Sequence, residues 1–132
     1  MPLYISATNS IEGRENLKIE NTFSLITKWD DSHLFAARKL TREIKDSRSS
    51  ISDDDLIKKI KGDAEIRQSV ILVFNYFEHV RFSIINNRID TKLFKESLGS
   101  MIIDIYHRFK PFLATMGEQN IKDMDQLEKL LK

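Results

Sequence analysis

Apolar residues recur along this chain at the spacing of a helix, and no stretch alternates convincingly with the period of a strand. The most apolar run, residues 70–80, reads VILVFNYFEHV. As a helix it is hydrophobic on nearly every side at its start, which marks a buried element. This predicts a central helix over about residues 63–87. Asp63 suits its N-cap, and Asn86 and Asn87 suit its end, since Asn tolerates the left-handed conformation that stops a helix.

The flanking segments read the same way. Over residues 15–29, Phe23, Ile26 and Trp29 sit at helical spacing, so an amphipathic helix is predicted there. Asp30, Asp31 and Ser32 favour caps over helix interiors and suggest a corner or a kink. A second helix is then predicted to about residue 45, followed by a loop over 46–50. Ser52 before Asp53, Asp54 and Asp55 is a strong helix start, and Gly62 suits the end of that short helix. Asp90 is placed to cap a longer helix containing Leu98, Ile102, Ile105 and Phe109. Pro111 is expected to kink or divide it, and Gly117 to stop it. Ile121, Met124, Leu127 and Leu131 form the stripe of a last amphipathic helix over about 119–131. Residues 1–12 show no sustained periodicity and are expected to be an irregular arm.

The predicted fold class is therefore all-α: one compact bundle of about five or six helices, in a single domain over residues 13–132 with its core in about 20–115. The chain's 132 residues suffice for one domain with a real core and are too few for two ordinary ones.

Composition narrows the functional classes. Basic and acidic residues number 21 and 20, for a net charge of +1, which lacks the basic excess of a nucleic-acid binder while leaving room for a local basic patch. The absence of cysteine rules out disulfides, thiol nucleophiles and Cys-based metal sites, and fits a cytoplasmic protein. No apolar run is long enough to span a membrane, and the first residues hold no signal-peptide core.

Candidate chemistry is sparse. Asp30 with His33, and Asp104 with His107, place a carboxylate and an imidazole one turn apart, and Glu78 adjoins His79. The paired Glu-x-x-His pattern of di-metal bundles is missing, and residues adjacent in sequence point about 100° apart on a helix. No metal and no cofactor are expected. The four glycines at 13, 62, 99 and 117 are solitary, so no phosphate-cradling loop is formed from them. The serines cluster in loops without a nucleophile elbow. The aromatic residues at helical spacing read as core rather than as a base-stacking platform. Lys58, Lys59 and Lys61 near Arg67 make a small basic patch, either a solvated face or a contact for phosphate or an acidic partner.

The strongest lead lies in the central helix. Asn75 and Glu78 fall one turn apart on a face that also carries Ile71, Phe74, Phe82 and Ile85. A carboxylate among such neighbours is paired or strongly perturbed. Two readings stand: a buried structural pair, with Arg38 beside the small Ala36 and Ala37 as its natural partner, or a ligand or partner pocket anchored by Glu78. If Glu78 is buried and paired, its removal destabilises by a few kcal/mol.

Several short segments together resemble a known family: Trp29 followed by Ala36, Ala37 and Arg38; Val73-Phe74-Asn75-Tyr76-Phe77-Glu78; Ile89-Asp90 before a helix; and Phe109-Lys110-Pro111-Phe112. Over about residues 20–115 the chain resembles the DUF4760 family of bacterial and phage proteins. The resemblance implies a compact helical domain with no assigned activity, and its recurring Arg, Asn and Glu correspond to Arg38, Asn75 and Glu78. Many members look as if they carry a membrane segment before this domain, and none is expected from the residues of this chain.

The leading functional expectation is a non-enzymatic helical module that binds a protein partner or forms a homo-oligomer through a helix face. The alternatives are a small-molecule or metal-binding bundle using Glu78, Asn75 and Arg38, and a phage or mobile-element effector that binds a host protein. Neither nucleic acid nor a membrane span is expected.

Overall fold

A computed structural model describes the backbone of residues 2–132 and the side chains of residues 11–132. In chain order the helices are α1 (Pro2–Lys28), α2 (Ser32–Ser47), α3 (Asp53–Lys61), α4 (Ala64–Ile85), α5 (Thr91–Phe94), α6 (Ser100–Ala114) and α7 (Glu118–Leu131). A π-helical segment, Lys95–Gly99, joins α5 to α6 without a break. No strand occurs among the described residues, so the all-α expectation holds.

The local signals that start each helix are in place. The Ser52 hydroxyl accepts from the Asp55 N–H at 3.1 Å. Asp63 accepts from the N–H groups of Glu65 and Ile66, and Asp90 from that of Leu93. Each satisfies a backbone donor that the first helical turn leaves free. Residues 30–32 are a true corner, with Asp31 capping α2 through the His33 N–H at 2.9 Å. Asn87, at φ 55°, turns the chain after α4, and Gly117, at φ 127°, reverses it before α7.

Two local expectations are corrected, and of the two outcomes expected at Pro111 one is removed. The irregular arm expected over residues 1–12 is helical from Pro2, while Met1 lies outside the described residues. Proline is tolerated at the first helical position, and no other proline interrupts the chain until Pro111. The loop expected over residues 46–50 is instead the end of α2 and a 3₁₀ turn, Arg48–Ser50. There the Ser47 and Ser50 hydroxyls donate back to the carbonyls of Ile44 and Ser47, so serines that favour loops here prolong the helical path. Pro111 does not divide its helix, since α6 continues to Ala114. Phe112 and Leu113, both buried, hold that last turn against the core.

The expected central helix is central. Helices α2, α3 and α7 all pack on α4, and α6 packs on α3 and α7. Val70, Val73, Phe77 and Val80 are fully buried along α4, each stabilising the fold by about 1.5–3 kcal/mol through removal from water. Phe77 stacks on Trp29 at 5.8 Å and meets Phe74 edge-on at 5.1 Å; Phe74 in turn meets Phe109 at 6.3 Å. The second half of α1 is tied to this core by two hydroxyls. Tyr76 donates to the Leu25 carbonyl at 2.6 Å, and the fully buried Thr22 accepts from the Asp90 N–H at 2.8 Å. Burial, with nearby Asp30 as a second cause, pushes the Tyr76 hydroxyl's pKa above its ordinary value. Ile11, Leu17, Ile19 and Phe23 of α1 remain exposed. Among the described residues no helix is long and apolar enough to cross a membrane.

Candidate functional site

The three residues singled out in the sequence do not meet. Asn75 and Glu78 share the outer face of α4, whereas Arg38 is committed elsewhere. Its Nη1 donates to the Trp29 carbonyl at 3.0 Å and to Asp30 Oδ1 at 2.9 Å, and its guanidinium lies 5.1 Å from the Trp29 ring centroid. Arg38 thus ties the corner between α1 and α2 by hydrogen bonds and a cation–π contact. The buried Arg38–Asn75–Glu78 network is overturned. Helix α2 buries Leu34, Ala37, Thr41 and Ile44, and Arg38 turns away from that stripe toward the corner.

Glu78 has a partner on its own helix. Arg81 Nε donates to Glu78 Oε2 at 2.9 Å, and Arg81 Nη2 donates to Oε1. The Glu78 side chain is 43% exposed, so the pair sits at the surface rather than in the core. Arg81 also reaches α7, donating to Gln126 Oε1 at 2.9 Å with Asp123 Oδ2 3.7 Å away. The hydrogen bond with Glu78 is the main cause holding Arg81 above the ordinary guanidinium range, against a smaller opposing effect of burial. Asn75 is exposed and makes no hydrogen bond to a protein group among the described residues.

Asn75, Glu78 and Asp123 line a pocket of about 290 Å³ between α4, the end of α6, and α7. Its floor is apolar, with Val70, Phe74, Phe112, Leu113 and Met124 all buried, and Met116 is half-exposed at 47%. Asn75, Glu78, Asn120 and Asp123 supply the polar lining. The arrangement suits an apolar group inserted below hydrogen-bonding partners. Methionine on two sides gives the wall an adaptable shape. The lining offers no serine, lysine or histidine, so it holds carboxylates and amides but no nucleophile with a base beside it.

The remaining candidates lie apart from this pocket. His33 and His79 are exposed, and His107 pairs with Glu128 across α6 and α7. Among the described residues no three His, Asp or Glu side chains gather as a metal-binding group. Lys58, Lys59 and Lys61 are exposed on α3, and Arg67 donates to the Lys61 carbonyl at 3.1 Å, at the end of that helix.

Sequence reasoning missed Arg81, although the spacing Glu78-x-x-Arg81 places the two one turn apart and is the signal that finds it. It also missed Asp123 and Met116 as pocket residues. No local pattern marks them, because Met116 reaches the pocket only when the end of α6 packs beside α4, and Asp123 only when α7 folds back after Gly117.

Comparison with known proteins adds a family. The family model described as Domain of unknown function (DUF4760) matches residues 3–132. No curated protein and no solved structure matches the chain.

Proposed function

The chain belongs to the DUF4760 family, and we propose that it works as a non-enzymatic helical interaction module that seats an apolar side chain of a protein partner, or of a second copy, in the α4/α6/α7 pocket. The observation that carries this reading is the open apolar floor of Phe74, Phe112, Leu113 and Met124 beneath Asn75 and Glu78. Anchor side chains in pockets of this kind, ringed by polar groups, dominate protein–protein binding. Phe82 and Ile85 continue the same face of α4 past Glu78 and are about half-exposed, which extends the apolar contact beyond the pocket. The carboxylates of Glu78 and Asp123 favour a cationic neighbour beside the anchor. The absence of cysteine suits action in the cytoplasm.

A photo-crosslinking amino acid at position 75 tests this in cells. The expected result is a covalent adduct with a protein, another copy of the chain included, that the additional substitution Met116→Glu abolishes. Absence of any protein adduct overturns the reading. A pocket of about 290 Å³ also sits at the lower edge of the small-molecule range, and an adduct of small-molecule mass alone favours that second reading.

A further inference from the structure

A second cavity, of about 140 Å³, lies between α2 and α6 and is lined in part by Trp29. Its α2 wall follows from one sequence pattern: Arg38, Thr41, Arg42 and Lys45 recur at the spacing that places them on one helix face. Helix α6 contributes Arg108 and Asp104 together with the apolar Met101 and Ile105. Four cations therefore share the lining with one carboxylate, in a chain whose net charge is only +1.

The existing pairs do not use up this charge. Arg38 is held by Asp30, and Arg108 Nη2 donates to Asp104 Oδ2 at 3.1 Å. Arg42 and Lys45 are exposed at the opening and form no ion pair among the described residues. Arg108 is the least solvated of the four, with its side chain 9% exposed. Burial is the largest cause holding its guanidinium below the ordinary range, and the neighbouring charge of Arg42 adds to it, despite Asp104 and Asp46. Asp104 already compensates part of the Arg108 charge, and an anion seated between Arg42 and Arg108 relieves the repulsion that remains between them.

We infer that the α2/α6 groove binds a small phosphorylated ligand, its phosphate group held by Arg42, Lys45 and Arg108 and its carbon body lying against Trp29, Met101 and Ile105. A phosphomonoester carries nearly two negative charges at neutral pH and three acceptor oxygens. The planar forks of two arginines and the point charge of a lysine match that group. The cavity has the volume of only a few water molecules, at about 30 Å³ each, so it takes a phosphate with a short carbon chain rather than a whole nucleotide. The site is separate from the α4/α6/α7 pocket and stands whether or not that pocket binds a protein.

Trp29 is the chain's single tryptophan and lines the cavity, so its emission reports occupancy directly. The experiment titrates the intact protein with inorganic phosphate and with glycerol phosphate at constant ionic strength, following Trp29 emission and the thermal midpoint. A saturable change in emission with a raised midpoint is expected for glycerol phosphate, and a weaker one for inorganic phosphate. Arg42→Gln combined with Lys45→Gln weakens binding by roughly tenfold or more through loss of charge-assisted hydrogen bonds, while Arg67→Gln leaves it unchanged. No saturable response to either anion, or an undiminished response in the double variant, overturns the inference. A parallel titration with phosphatidylserine vesicles completes the test: a response to the vesicles with none to either soluble anion overturns the inference and assigns the patch to a membrane surface instead.

Discussion

The α4/α6/α7 pocket and the α2/α6 groove share helix α6 yet differ in how their charges are settled. At the pocket, the lining carboxylates Glu78 and Asp123 both face Arg81, which also bonds Gln126 and so bridges α4 and α7 beside the opening, and the floor is formed by buried apolar residues. In the groove the cations outnumber the carboxylates, and the least solvated of them, Arg108, is disfavoured by its own burial. A settled polar rim over an apolar floor selects shape and hydrophobic area, with charge as a secondary preference. An excess of cations around a small cavity selects an anion.

The comparison breaks most completely at the residue that supports both sites. Phe77 stacks on Trp29, which lines the groove, and touches Phe74, which lines the pocket. Phe77→Ala is expected to destabilise the protein by about 3–5 kcal/mol, through lost burial and the cavity left behind. Denaturant unfolding measures this, and Trp29 emission changes in the same variant. A loss under about 1 kcal/mol contradicts the central place of Phe77 in the core.

Gly117→Ala separates the two sites. At φ 127° and ψ 152° the residue occupies a region that side chains bearing a Cβ rarely adopt, at a strain cost of about 1–3 kcal/mol. Space around the Cβ is open, so conformation alone carries the effect. The strain falls on the turn that brings α7 back over α4. Crosslinking from position 75 is therefore expected to decline while the Trp29 response to glycerol phosphate is retained. Equal damage to both responses contradicts the independence of the sites.

The smallest effect is expected at Glu78 itself. Its side chain is 43% exposed and its partner lies on the same helix, so Glu78→Ala costs at most about 1 kcal/mol. This replaces the loss of a few kcal/mol expected for a buried pair. A shift larger than about 2 kcal/mol in chemical denaturation contradicts a surface role for the pair.

Much of the fold is legible in the sequence because its determinants are local. The apolar run through Val73 and Phe77, the caps at Ser52, Asp63 and Asp90, and the reversal at Gly117 each act within a few residues of themselves. The Glu78–Arg81 pair belongs to the same class, since helical geometry alone places residues three apart side by side. The pairing of Arg38 with Glu78 failed because it required knowing which face of α2 meets α4. Periodicity says that a helix has a buried face, but not which partner covers it.

The sequence by itself determined an all-α chain with a buried central helix, since backbone hydrogen bonding and hydrophobic periodicity act over single turns. Only the tertiary structure decided that Asn75 and Glu78 open onto a pocket with Met116 and Asp123, and that Arg38, Arg42, Lys45 and Arg108 share one cavity. Those groupings join residues tens of positions apart, and no local pattern records a contact that exists only when separate helices pack.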